Sequence, residues 1–203
     1  MKNGEKGPGR PHGAAERGRG MAQRGAFGGQ GTDGAALAVR PAAWADLAEI
    51  LAVYAQARAF MRANGNASQW RDSHPPRALV EQDIAEGTGF VLVSGGGRVE
   101  GVFALLDGED PAYARIEDGA WLSDAPYCAI HRIASAGRVR GVLRACVAWS
   151  ARRCAHLRAD THADNAPMLH LLPALGFVRC GVVRVADGSP RIAFERLPQD
   201  GRA

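Results

Sequence analysis

Hydrophobic and polar positions alternate in two registers along this chain, and its elements are marked where the register changes. Leu37 to Arg40 reads as a short strand ended by Pro41. From Trp44 to Arg62 the period lengthens. Leu47, Ile50, Leu51 and Tyr54 recur at helical spacing, and Asn64-Gly65-Asn66 supplies residues that tolerate the left-handed backbone of a helix end. After a loop over residues 68–76, Pro75 and Pro76 open a second helix that runs through Val80 and Ile84 to Glu86. Phe90 to Val93, Gly95-Gly96-Gly97 and Val99 to Leu106 predict a β-hairpin, and Ile130 to Ile133 a further strand. Beyond the break at Ser135-Ala136-Gly137, residues Val139, Val142, Leu143, Cys146, Val147 and Ser150 form the stripe of a helix packed on a sheet. Leu157 to Thr161 is strand-like and the run from Asn165 helical. Val178 to Val185 and Arg191 to Leu197 pair across the turn residues Asp187-Gly188-Ser189-Pro190. This order of strands and helices predicts an α/β (α+β) domain of three layers.

Residues 107–126 fit neither period. They carry Asp107, Glu109, Asp110, Glu117, Asp118 and Asp124 beside Tyr113 and Trp121, and Tyr113 to Leu122 is expected as a further strand or an inserted hairpin. No internal repeat is visible.

Composition changes the picture at the N-terminus. Residues 1–34 of the 203 contain eleven glycines and six Lys/Arg against three Asp/Glu, a mixture that cannot bury enough apolar surface to offset the entropy of ordering. A disordered Gly/Arg-rich tail is expected there, with the domain over residues 35–199 and Met21 as an alternative to Met1 as the start. The tail holds +3 of the formal +4 charge, so the basic character belongs mainly to it. Non-specific nucleic-acid binding by the tail is a weaker reading than a solvated extension. With no continuous apolar run, neither a secretory signal nor a membrane partner is expected. Cys128, Cys146, Cys154 and Cys180 lack metal-ligand spacing, and Cys146 and Cys154 fall on one helical face as core residues. No metal and a reducing, cytoplasmic setting are therefore expected.

The candidate chemistry starts at the strand-to-helix turn around Arg138, Arg140 and Arg144. A helix N-terminus offers unpaired N–H groups and arginines offer forked donors, a combination suited to phosphate or pyrophosphate. No Gly-x-Gly-x-x-Gly opens a βαβ unit, which disfavours a dinucleotide-dependent oxidoreductase.

The turn Arg138-Val139-Arg140-Gly141-Val142-Leu143 resembles the acyl-CoA pyrophosphate loop of the GCN5-related N-acetyltransferase (GNAT) superfamily, Gln/Arg-x-x-Gly-x-Gly/Ala. Asn165-Ala166-Pro167-Met168-Leu169-His170-Leu171-Leu172, ending at Gly176-Phe177, is similar to that family's Asn-x-x-Ala-x-x-Leu-Tyr-x-x-x-Gly-Phe signature. The two motifs stand in the family's order and spacing, and the resemblance spans about Leu37 to Leu197. It implies a mixed sheet of about seven strands, helices on both faces, and fourth and fifth strands that splay around the pantetheine arm of acetyl-CoA. Cofactor contacts then fall to Ile133, Ala134, Ser135, Arg138, Val139, Arg140, Gly141, Val142, Leu143, Arg144 and Asn165.

Among the departures from the family pattern, Leu143 replaces a small residue, and Leu172 replaces the tyrosine that serves as general acid. His131 is the first candidate for the base, since imidazole titrates near neutrality, and Glu117 the second. The acidic 107–126 stretch with Trp121, and the loop carrying Gln69 and Trp70, are candidates for the acceptor site, where carboxylates beside aromatic faces suit an amine. The implied activity is N-acetylation of a primary amine on a small molecule or peptide. A non-catalytic acyl-CoA-binding domain is the alternative, and a homodimer stays open.

Overall fold

The computed structural model describes residues 37–108 and 110–198, so the expected tail, the choice between Met1 and Met21, and Glu109 lie outside the described residues. Among the described residues seven strands form one sheet: β1 (Ala38–Pro41), β2 (Gly89–Val93), β3 (Val99–Asp107), β4 (Cys128–Ser135), β5 (Leu157–Thr161), β6 (Val178–Arg184) and β7 (Pro190–Arg196). Their spatial order is β1-β2-β3-β4-β5-β7-β6, and only β4 and β5 run parallel.

The described residues form four helices that cover the sheet: α1 (Leu47–Ala63), α2 (Arg77–Ala85), α3 (Val142–Ala151) and α4 (Ala166–Ala174). Side-chain alternation along the strands divides the core. Phe90, Leu92, Phe103, Leu105, Ile130, Leu157 and Ala159 meet α3 and α4 through Val142, Cys146, Val147 and Leu172. Val91, Val99 and Val102 point to the opposite face, onto Ile50, Val53, Tyr54, Val80 and Ile84 of α1 and α2. The rest of that second face is covered by the segment between β3 and β4: Tyr113 packs on Ala129, Val183 and Ala193, with Ile116, Trp121 and Tyr127 alongside.

That segment is where the sequence reading needs correction. Tyr113 to Leu122 forms neither strand nor hairpin. A short 3-10 turn, Pro111–Tyr113, leads into it, and a single bridge joins Glu117 to Val182. Besides the backbone bonds of Glu117 to Val182 and of Ala120 to Cys180, a buried polar network holds the segment. Glu195, fully buried in β7, accepts from Arg158 Nε at 2.9 Å, lies 2.6 Å from His156 Nε2, and accepts from the Leu122 amide. Arg158 then donates to the Ser123 carbonyl and lies over the rings of Trp121 and Tyr127.

The cysteine reading also changes. Helix α3 ends at Ala151, so Cys154 leaves the face of Cys146 and its sulfur is joined to that of Cys128 as a disulfide, while Cys146 and Cys180 are buried and free. No helix among the described residues is long and apolar enough to cross a membrane.

Two irregularities in the sheet create the space for a site. Pairing of β4 with β5 stops at Ile130↔Ala159, so from His131 onward β4 has no strand partner on that side. On its other side, Ala104 opposes His131 and Val102 opposes Ala134, which gives β4 one residue more than β3. Arg132 sits at this bulge with φ of 51°. Its guanidinium donates twice to Asp83 of α2, at 2.7 and 3.1 Å, which holds the bulge against the helix layer.

Candidate active site

A cleft of about 720 Å³ opens where β4 and β5 part. One half is apolar. Ile133 of β4, Leu143 and Val147 of α3, and Met168 and Leu172 of α4 line it. Gly141 caps α3 with φ of 83°, and a Cβ there would meet no atom within 4 Å. The need for glycine is therefore conformational, and the space in front of the helix amides is open. Arg140 and Arg144 are exposed beside it and form no ion pair among the described residues. The helix amides, free arginines, open β4 edge and apolar walls together fit the pyrophosphate and pantetheine arm of an acyl-CoA.

The Arg138 side chain is engaged across the sheet. Its Nε donates to the buried carboxylate of Glu100 at 3.0 Å and its Nη2 to the Val99 carbonyl at 2.6 Å, so the side chain ties the turn to β3. Val139 is half-buried and packs with Leu143 on the α3 side of the core, while Val142 is buried within it. Asn165 caps α4, accepting from the Met168 amide at 3.3 Å, and its Nδ2 donates to Gln69 Oε1 at 3.0 Å.

The other half of the cleft is polar. His131, on β4 immediately beyond the last β4–β5 pair, has Nε2 2.8 Å from Asp110 Oδ2, although the approach lies off the axis of a hydrogen bond. Tyr113 stacks on the imidazole at 5.8 Å between centroids and donates its hydroxyl to Asp160 of β5 at 2.8 Å. Burial pushes the Asp160 carboxyl above its ordinary range, against the pull of His131, Tyr113 and Arg191. Burial also acts upward on Asp110, but the contact with His131 and the Ala112 amide outweigh it and hold the carboxyl below the usual range. Arg191, itself buried, donates to the Gln69 carbonyl at 3.3 Å and so fixes the 68–76 loop at the cleft wall. His74 lines the same wall, its imidazole lowered by burial and then by Arg132 and Arg191.

The structure thus brings together His131, Gln69 and Trp70 with the cofactor-side residues. Trp70 belongs largely to the core, edge-on to Tyr54 at 5.7 Å. Glu117 and Trp121 are not part of the cleft. Glu117 is paired with Arg184 at 3.1 Å, and hydrogen bonding from that guanidinium lowers its carboxyl, which disfavours it as a base. Trp121 packs on Tyr113 and Arg158. Asp160, Thr161 and Arg191 escaped sequence reasoning as site residues, whereas Asp110 and Tyr113 belong to the acidic 107–126 stretch that the sequence offered for the acceptor site. The alternation Leu157-Arg158-Ala159-Asp160-Thr161 does place Asp160 opposite the core stripe, but nothing in the pattern shows that this second face is covered.

Among the described residues no cluster of three or more His, Cys, Asp or Glu could hold a metal. No family model matches the sequence, and no curated protein matches it. Solved structures do. A GNAT-family acetyltransferase from Streptococcus agalactiae shares 29% identity, with 81% of this chain and 96% of that one covered and a TM-score of 0.74. YncA from Salmonella typhimurium, solved with acetyl-CoA, is 20% identical over 83% of this chain and 97% of its own, with a TM-score of 0.52. A GNAT-superfamily phosphinothricin acetyltransferase from Sinorhizobium meliloti, also solved with acetyl-CoA, is 17% identical over 82% and 90%, with a TM-score of 0.55. With its seven-stranded mixed sheet, the parallel β4–β5 pair that opens past Ile130, and these likenesses, the chain belongs to the GNAT superfamily.

Proposed function

We propose that this protein transfers an acetyl group from acetyl-CoA to a primary amine of a small molecule or peptide. The observation that carries this reading is the position of His131 and its acidic neighbours at the point where β4 and β5 separate, opposite the apolar half of the cleft. The amides of Val142, Leu143 and Arg144, with Arg140, would hold the pyrophosphate. The free edge of β4 at Ile133, Ala134 and Ser135 would pair with the arm. Asp110 and Asp160 place negative charge where an ammonium must arrive. His131, with Asp110 2.8 Å away, accepts its proton.

The acetyl-CoA found in the YncA and phosphinothricin acetyltransferase structures supports the co-substrate assignment. A second reading, acyl-CoA binding without turnover, draws on Leu172, which is 1% exposed on the cleft wall and has no proton to give.

Incubation with acetyl-CoA and a panel of amines, read as thiol release, separates the two. Release with at least one amine is expected, falling roughly 100-fold or more in His131→Gln, the scale of general acid–base catalysis, with CoA binding retained. Binding without release for every amine would favour the non-catalytic reading.

A further inference from the structure

We propose that the hydroxyl of Thr161 donates a hydrogen bond to the departing CoA thiolate, filling the role for which Leu172 has no suitable group; this rests on the acetyl-transfer reading above. Thr161 ends β5, one residue past Asp160, and lines the cleft. Its backbone pairs with Ile192 of β7, whereas on the β4 side pairing has already stopped at Ala159. The side chain is 0% exposed, yet its Oγ1 has no hydrogen-bond partner among the described residues. A buried hydroxyl without a partner costs stability and is uncommon in a native fold. At the opening of a ligand cleft, the missing partner is most simply a ligand atom.

Its direction follows from strand alternation. Leu157 and Ala159 point into the core shared with α3 and α4, which includes Leu172, and Thr161 continues that row. Asp160 points the other way, to Tyr113 and the polar half where His131 stands. The base and the Thr161 hydroxyl therefore approach the gap from opposite faces of the sheet. This division suits acyl transfer, with the base beside the incoming amine and the hydroxyl beside the departing sulfur.

In the reaction a C–N bond forms and the C–S bond breaks. One ammonium proton passes to His131 and is released to solvent. The second, lost as the amide forms, balances the proton that the thiolate takes up from solvent. Thr161 keeps its own proton and lowers the barrier by stabilising the charge on sulfur until that uptake.

The acceptor need not be known to test this. CoA bound to the full chain is titrated by the ultraviolet absorbance of its thiolate, in the unaltered protein, Thr161→Val and Thr161→Ser. Desulfo-CoA affinity is measured in parallel, and thermal unfolding confirms that each variant folds. A hydrogen bond to a charged group predicts that the thiol of bound CoA titrates about one pH unit higher in Thr161→Val than in the unaltered protein, that Thr161→Ser restores the lower value, and that desulfo-CoA binds all three alike. An unchanged titration in Thr161→Val overturns the proposal. So does an equal loss of desulfo-CoA affinity, which would make Thr161 a contact for the arm and not for sulfur. Absence of CoA binding to the unaltered protein would instead defeat the acetyl-transfer reading on which the proposal stands.

Discussion

Asp160 shows how a single residue here is placed against its own stability. Because burial raises its pKa in the folded protein, ionisation opposes folding. The contribution is nil well below the ordinary value of 3.8, and stability is lost as pH rises from there through the raised folded value. Asp160→Asn keeps an oxygen to accept from Tyr113 and removes the charge. Its melting temperature is expected to exceed that of the parent at pH 7, with the gap closing toward pH 3.8, while acetyl transfer weakens. An equal or lower melting temperature at pH 7 would contradict this.

At this scale the sequence was partly legible. His131 could be picked out because only imidazole titrates near neutrality, but its partner Asp110 lies 21 positions earlier in a segment without period. Arg138 carried the motif and was assigned to pyrophosphate. The buried Glu100 that engages it sits on β3, and a motif spacing contains no information about a partner across the sheet.

Elements were most legible where a period repeats. All seven strands and all four helices were anticipated close to their observed places, but α3 starts at Val142 and not Val139, because Gly141 adopts the left-handed conformation as its cap. Gly141→Asp should cost about 1 kcal/mol through that backbone conformation and place a negative charge before the helix amides. The variant is expected to unfold cooperatively, slightly earlier, and to show no stabilisation by acetyl-CoA. Unchanged acetyl-CoA affinity would remove the turn from the binding site.

The 111–127 segment was illegible for a physical reason. Its order comes from distant side chains, chiefly Glu195, and not from local propensity. Glu195→Ala leaves Arg158 buried without its carboxylate and should destabilise the protein by about 3–5 kcal/mol in denaturant unfolding. A loss below 1 kcal/mol would show that the network is not what holds the segment.

At the scale of the whole molecule, the sheet order was not legible from the chain's patterning. The splay of β4 from β5 entered only through the family resemblance, since hydrophobic alternation is the same in a paired and an unpaired strand. The bulge at Arg132 was hidden as well, because its positive φ falls on a residue type that rarely marks one. Yet these two irregularities turn a continuous sheet into one with a gap, and every site residue is arranged around that gap.

Titration of acetyl-CoA into the full chain, followed by calorimetry and by thermal unfolding, tests that arrangement most directly. Saturable binding near one equivalent is expected, with stabilisation of about 2.7 kcal/mol at a free concentration one hundred times the dissociation constant. No heat of binding and no thermal shift at saturating acetyl-CoA would contradict the assignment of this cleft to the cofactor.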